Sequence, residues 1–78
     1  MKATVINFFE SIDQQDADLH RYEYVTVLTR EEAKAEFETM AAHNDYEYCE
    51  VKNYDEDGDL CEMYAIWNDG TVEDMEWM

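Results

Sequence analysis

The pattern of apolar and polar residues predicts two strands in the first third of the chain. Residues 3–10 are rich in β-branched and aromatic side chains, which is typical of a strand. In residues 22–28 alternate side chains would point to opposite faces of a strand. This spacing predicts a second strand, but it does not show which of the two faces is buried. The polar, acidic stretch at residues 13–18 predicts a loop between them.

A helix is predicted to begin after Thr29 and to end near residue 43. Thr29 and Glu32 have the spacing of a capping box, in which each side chain bonds to the backbone N–H of the other residue. The apolar residues that follow recur at helical spacing and form one stripe: Ala33, Phe37, Met40 and Ala41. Asn44 is suited to the left-handed conformation that often ends a helix.

Two turns divide the rest of the chain into three predicted strands. Residues 46–53 and 60–67 alternate on either side of an acidic turn at residues 55–58. Residues 71–77 follow a second turn that ends in Gly70, which can adopt positive φ. The predicted order is therefore ββαβββ. We expect all 78 residues to form one small α+β domain, an antiparallel sheet of about five strands with the helix on one face.

The chain has a large excess of acidic residues. It contains 21 Asp and Glu against 5 Lys and Arg, for a formal net charge of −16. A disordered acidic tail is excluded, because 46% of the residues are hydrophobic and 14% are aromatic, enough for a packed core. Charge of this size opposes folding through self-repulsion, so it indicates a surface that binds a basic partner.

The acidic residues fall into sets that we expect to form the partner-binding surface. Carboxylates two apart on a strand or four apart on a helix lie about 6 to 7 Å apart, close to the spacing of successive phosphates on one DNA strand. A generally solvated acidic surface gives such spacings too. The sets are a helix set (Glu31, Glu32, Glu36, Glu38), a hairpin-tip set (Asp55, Glu56, Asp57, Asp59) and a C-terminal set (Glu73, Asp74, Glu76), with Asp13, Asp16 and Asp18 added by the loop.

Six tyrosines are too many for the core of so small a domain, so some must be exposed. We expect exposed tyrosines among acids to stack on arginine side chains of the partner. The alternative is that their rings cover the helix side of the sheet while their hydroxyls reach water. The tyrosines predicted to line one sheet face are Tyr22, Tyr24, Tyr46 and Tyr48.

No motif in the sequence indicates catalysis, a cofactor or a structural metal. Ser11 is the only serine and has no glycine-rich elbow around it. The two cysteines and two histidines lack the short spacings of a zinc site. We therefore expect a protein that is not an enzyme and needs no cofactor.

The hairpin tip raises one alternative, a calcium-binding interaction module. Several of its residues match positions in a calcium loop: Asn53, Asp55, Asp57, Gly58 and Asp59. The match ends at Tyr64, the position at which a calcium loop has a glutamate as its last ligand. The segments on either side of the turn are predicted to be strands, whereas a calcium loop lies between helices. An acidic β-turn accounts for the same residues.

The sequence also predicts the compartment and the state of the two cysteines. Residues 1–10 lack the basic lead and cleavage pattern of a secretion signal, and no apolar stretch reaches the ~20 residues of a membrane span. We expect a cytoplasmic protein in which Cys49 and Cys61 are reduced core thiols. A disulfide between neighbouring strands is the alternative.

In being short, acidic, cysteine-poor and free of enzymatic motifs, the chain resembles phage-encoded anti-defence proteins, including anti-CRISPR and anti-restriction DNA mimics. This resemblance implies an inhibitor in the host-cell cytoplasm. Such an inhibitor would occupy the basic channel of a Cas or restriction complex subunit and displace nucleic acid from it. An acidic housekeeping domain adapted to high salt is the other alternative. The sequence leaves open whether the chain forms a homodimer.

Overall fold

The computed structural model describes residues 3–11, 13 and 20–75 of the chain. In chain order the elements of this part are β1 (Thr4–Phe9), β2 (Arg21–Tyr24), α1 (Arg30–Ala41), β3 (Tyr48–Tyr54), β4 (Leu60–Trp67) and β5 (Val72–Asp74). All the strands join one antiparallel sheet in the order β2-β1-β3-β4-β5. The predicted α+β fold and its ββαβββ order are confirmed.

β1 is an interior strand of the sheet, between β2 and β3. It pairs along its whole length with β3, from Thr4 opposite Asn53 to Phe9 opposite Tyr48, and over four residues with β2. Every residue of β1 is buried, including those that alternate onto the face opposite the helix. A nearly continuous run of apolar and β-branched residues suits a strand that is buried on both faces.

The start of α1 follows the predicted capping box. Thr29 Oγ1 accepts a hydrogen bond from the backbone N–H of Glu32 at 3.1 Å, and Glu32 Oε1 accepts one from the N–H of Thr29 at 3.0 Å. Ala33 and Phe37 are buried against the sheet, and Met40 and Ala41 pack partly buried beside them. The predicted apolar stripe therefore fixes which side of the helix faces the sheet.

The end of α1 differs from the prediction. The helix stops at Ala41, and its C-cap residue, Ala42, keeps a right-handed helical conformation. Among the described residues only glycines have positive φ, so the left-handed conformation predicted for Asn44 is wrong. The Asn44 side chain ends the helix in another way, by donating from Nδ2 to the carbonyl of Met40 at 3.0 Å.

The face of the sheet beneath α1, here called the covered face, holds the core. Phe8 lies at its centre, 5.1 Å from the ring of Tyr46 and 6.3 Å from that of Phe37, with both pairs stacked. Cross-strand pairing brings the remaining apolar side chains to the same face. The buried members of this core are Ile6, Phe8, Ala33, Phe37, Tyr46, Cys49, Val51, Tyr64 and Ile66.

The opposite face, here called the open face, carries the alternate residues of the same strands. Residues that pair directly across strands share a face, so the register assigns its members. They are Val5, Asn7 and Phe9 of β1, Arg21 and Glu23 of β2, Tyr48, Glu50 and Lys52 of β3, Met63, Ala65 and Trp67 of β4, and Glu73 of β5.

The strand boundaries depart from prediction mainly at the two edges of the sheet. β2 ends at Tyr24, and the chain then leaves the sheet with Val25 82% and Val27 58% exposed. β5 is only three residues long, and the last two residues of the strand predicted there lie outside the described residues. Gly70 has φ 92°, so its predicted positive φ is confirmed.

Candidate functional site

The helix set lies outside the stripe of α1 that packs on the sheet. Glu31 and Glu38, seven residues apart, share one flank, on which Glu38 lies beside Ile66 and Trp67 of β4, and both are exposed. Glu32 and Glu36 share the flank that points toward β2; Glu32 is exposed and Glu36 half-buried. Burial, with the nearby charge of Glu36 second, raises the pKa of Tyr24 to about 12. The four glutamates therefore divide between the two flanks of one helix.

Two members of the helix set also have a structural purpose. Glu31 and Glu32 occupy the first turn of α1, where negative charge stabilises the helix dipole. Glu32 in addition completes the capping box. Glu36 and Glu38 have neither of these roles, so the start of the helix does not explain their charge.

The hairpin-tip set is gathered around the side chain of Asp55. Its Oδ1 accepts hydrogen bonds from the backbone N–H groups of Asp57 and Asp59, each at 2.9 Å. Gly58 completes the turn with φ 84°. The carboxylates of the three aspartates have oxygens within 4.8 Å of one another, and Glu56 beside them is exposed. Like charges are therefore held close together by backbone hydrogen bonds.

The hairpin tip does not have the arrangement of a calcium loop. Asn53, assigned to the first position, is 4% exposed. Its side chain is bonded within the sheet to Thr4 at 2.6 Å and Glu62 at 2.8 Å. The flanking segments are strands β3 and β4, where such a loop needs helices. An acidic β-turn accounts for these residues, because the Asp55 side chain accepts hydrogen bonds from the backbone N–H groups of Asp57 and Asp59.

The C-terminal set does not form one row. Glu73 and Asp74 are adjacent on β5, so Glu73 points to the open face and Asp74 to the covered face. Arg30 donates to Asp74 and to Glu62, which neutralises part of the charge there. Glu76 lies outside the described residues, as do Asp16 and Asp18 of the loop.

The prediction that four tyrosines line one sheet face is wrong. Tyr46 lies before the start of β3 and is 5% exposed in the core. Tyr22 and Tyr24 pair with Ile6 and Thr4 and so share the covered side, where Tyr22 remains 45% exposed at the edge. Tyr48 alone points to the open face. Register decides these positions, and the sequence pattern does not give the register.

An aromatic ladder on the open face was not predicted. The ring of Tyr48 stacks between those of Phe9 and Trp67, with 4.7 Å between ring centroids in each pair. Burial, followed by the charges of Glu50 and Glu47, raises the pKa of the Tyr48 hydroxyl. Each of these three residues lies near the end of a predicted strand. Antiparallel pairing that aligns those strand ends places the three rings next to one another.

A polar network between the strands and the helix was also not predicted. Thr4 Oγ1 donates to Asn53 Oδ1, and Asn53 Nδ2 donates to Glu62 Oε1. Arg30 Nη2 donates to Glu62 Oε2 at 3.0 Å and also to Asp74. The network runs from a buried threonine to an exposed ion pair and links five elements, β1, α1, β3, β4 and β5.

The guanidinium of Arg30 also lies over the ring of Tyr64, 4.5 Å from its centroid. Tyr64 is fully buried, and burial is the main cause that raises its pKa to about 12. Within the described part of the chain its hydroxyl has no hydrogen-bond partner. Arg30 is thus held at the surface by three groups of this molecule, Glu62, Asp74 and the ring of Tyr64.

An open groove separates the segment after β2 from the hairpin tip. It has a volume of ≈ 610 Å³ and combines apolar and acidic walls. The two valines that line it are the most exposed large hydrophobic residues in the described chain. The lining residues are Ala3, Val25, Val27, Tyr54, Asp55, Glu56 and Asp57.

The two cysteines are free thiols in different environments. Cys49 is buried in the core, as predicted, and burial raises its pKa to about 12. Cys61 is exposed, so its predicted place in the core is wrong. Desolvation and then the charge of Asp55 raise the pKa of Cys61 as well. A raised pKa keeps a thiol protonated and weakly nucleophilic.

Comparison of the sequence with protein-family models and with curated proteins, and of the structure with solved structures, gave no match. Among the described residues, no helix is long and apolar enough to cross a membrane.

Proposed function

We propose that the protein is a non-enzymatic DNA mimic of the anti-CRISPR type. Its acidic surface occupies the basic nucleic-acid channel of a nuclease or surveillance complex and blocks DNA binding there. The partner is a basic nucleic-acid-binding protein, and the protein itself makes no contact with nucleic acid.

The combination of size and charge carries the proposal. The molecule extends over 34 × 23 × 21 Å, which is close to one turn of duplex DNA, ~34 Å long and ~20 Å wide. At one charge per ~1.7 Å of axis, such a turn carries about 20 negative charges. The net charge of the chain is −16. A channel shaped for one turn of DNA thus meets a body of similar dimensions and similar total charge.

The positions of the acids support the same function. Glu36, Glu38, Glu56 and Asp57 are held on a helix and a turn, and none has a basic group within 4.0 Å among residues 3–11, 13 and 20–75. Two of the four described cations, Arg21 and Arg30, are already paired with acids of the chain. Most of the negative charge is therefore left for a partner.

The protein's own partners provide the test. We expect immobilised protein to capture nucleic-acid-binding proteins from a nuclease-treated bacterial lysate, and duplex DNA to elute them. Binding should weaken by at least about tenfold when salt rises from ~50 to ~500 mM, because the contacts replace phosphate contacts. Binding that resists both duplex DNA and high salt would overturn the proposal.

A matched pair of variants tests whether the placement of the charge matters. The cluster variant neutralises Glu36, Glu38, Glu56 and Asp57 to the corresponding amides. The control removes the same number of charges elsewhere, at Glu10, Asp45, Glu47 and Asp69. We expect the cluster variant to bind the captured proteins about tenfold more weakly than the control does. If the cluster variant retains full binding, the acidic sets do not form the contact surface.

Two further measurements separate the alternatives. A domain adapted to high salt needs salt to fold, so a sharp thermal transition in low-salt buffer excludes that class. A calcium-binding module gains stability on binding its ion. For the DNA mimic we expect millimolar calcium to shift the melting temperature no more than magnesium at equal ionic strength.

A further inference from the structure

A small residue on the open face lies between two acidic ones. Glu50 of β3, Ala65 of β4 and Glu73 of β5 are directly opposite one another across three neighbouring strands. Adjacent strands lie ~4.8 Å apart, so the backbones that carry the two glutamates are separated by about 10 Å. Because Ala65 ends at Cβ, the surface is depressed between the two carboxylates.

Aromatic and thioether side chains complete the walls of this depression, here called the socket. Tyr48 and Trp67, the last two rings of the aromatic ladder, stand at one end, and Met75 stands beside Glu73. The socket has a volume of ≈ 200 Å³. It is large enough for one long side chain and too small for a folded element.

The charges of the socket are unused within the described part of the chain. Neither Glu50 nor Glu73 has a basic group within 4.0 Å there, and neither has another bonded partner. Glu73 is exposed and Glu50 half-buried. Two carboxylates thus face each other across Ala65, beside an aromatic wall, without a cation between them.

We propose that the socket receives a single arginine side chain of the protein's partner. The guanidinium lies flat against the face of the Trp67 ring that Tyr48 does not cover, and its N–H groups donate to the carboxylates of Glu50 and Glu73. This inference deepens the proposed function and rests on it for the identity of the partner as a basic protein.

The chemistry of the walls favours arginine over other ligands. A guanidinium is planar, stacks on aromatic rings and presents five N–H donors, so it can serve two carboxylates at once. A lysine ammonium is more strongly hydrated and has no flat surface to stack. The two carboxylates repel phosphate, which excludes a nucleotide.

A blocked five-residue peptide with one central arginine among glycines is the probe. Titrated into the ¹⁵N-labelled full chain, it should shift the amide signals of Ala65, Trp67 and Glu73 in a saturable way. The lysine peptide should bind about threefold or more weakly, and the citrulline peptide, which has no charge, should leave these signals unmoved.

Three variants show whether the socket is the binding site. Glu50→Gln and Glu73→Gln should each weaken the arginine peptide about fivefold, while Asp45→Asn, which removes one exposed charge elsewhere, should not. Ala65→Leu keeps all the acids and fills the depression, so it should abolish the socket shifts. Because Ala65 is 4% exposed, the two Gln variants test the site even if the leucine perturbs folding.

The outcomes separate this inference from the proposed function. The socket is wrong if the arginine peptide shifts signals of the helix or hairpin-tip sets instead, or if the Gln variants bind as the unmodified protein does. If the peptide binds at the socket but duplex DNA does not elute the captured proteins, the socket is supported and the DNA-mimic proposal is overturned. Concentration-dependent sedimentation would show a second copy as the source of the arginine and would overturn the assignment to a partner.

Discussion

The two faces of the sheet are built from the same strands and have opposite characters. On the covered face, Phe8, Val51 and Tyr64 are sealed beneath the helix, and the polar groups at its margin bond to one another. On the open face, Tyr48 and Trp67 stay half-buried beside carboxylates without cations. Neighbouring residues such as Tyr64 and Ala65 thus lie in different environments, because successive side chains of a strand point to opposite faces of the sheet.

The comparison shows where the chain tolerates negative charge. The acids that the covered face includes, Glu62 and Asp74, are matched by Arg30. The acids of the open face and of the flanks of the helix are mostly left unmatched. The core beneath the helix lies on one side of the sheet, and partner binding is proposed for exposed acids outside that core. Three experiments, in order of decreasing effect on stability, test this division.

The largest effect is expected from Phe37→Ala. Phe37 is 3% exposed and stacks against Phe8, so its removal should lower the free energy of unfolding by about 3–5 kcal/mol. Tyr48→Ala, the matched truncation on the open face, should lower it by about 1–2 kcal/mol because Tyr48 is only partly buried. Urea denaturation measures both. Equal losses would show that the two faces contribute alike.

A smaller effect is expected from Asn53→Ala. The change leaves Thr4 Oγ1 and Glu62 without the amide that joins them, which should lower the free energy of unfolding by about 1–3 kcal/mol. Lys52→Ala, one residue away on the open face, should change it by no more than ~0.5 kcal/mol. A comparable loss from Lys52→Ala would contradict the division between the faces.

The smallest effect is expected from Tyr64→Phe. The Tyr64 hydroxyl is buried without a partner among the described residues, so its removal should be neutral or stabilising by up to about 1 kcal/mol at pH 7. A clear loss of stability would mean that the hydroxyl makes a bond that matters. Urea denaturation of the two proteins side by side gives the difference.

The same variant makes a prediction for alkaline pH. The folded chain keeps the Tyr64 proton up to a pKa of about 12, against 10.0 in the unfolded chain. The unfolded state therefore loses this proton first, and the stability present below pH 10 declines as pH rises toward 12. Tyr64→Phe should decline less steeply, with the remaining slope due to groups such as Tyr24. Near-ultraviolet phenolate absorbance should show Tyr64 ionising late.

Local signals in the sequence predicted the elements well. Thr29 and Glu32 placed the start of the helix, and Gly70 placed the last turn, because capping and positive φ depend on residues a few positions apart. The stripe at Ala33 and Phe37 gave the buried side of the helix for the same reason. These features need no knowledge of which strands are neighbours.

Features that depend on register could not be predicted in this way. Alternation alone does not distinguish Tyr22, Tyr46 and Tyr48. In the structure Tyr22 lies at an edge of the sheet, Tyr46 in the core and Tyr48 on the open face. The Arg30 network and the socket join residues from distant parts of the chain. A shift of one residue in pairing would reverse every such side chain, so they follow only from the folded sheet.

The short β5 strand, at one edge of the sheet, has a consequence for how the protein behaves in solution. An unprotected edge offers free backbone groups to another chain and invites aggregation. β5 presents exposed Glu73 and Asp74, and β2 at the other edge presents Arg21 and Glu23. Charged side chains at an edge disfavour pairing with a second sheet, so these residues also protect the protein against aggregation. Variants that neutralise them should therefore be checked by light scattering before lost binding is assigned to a lost contact.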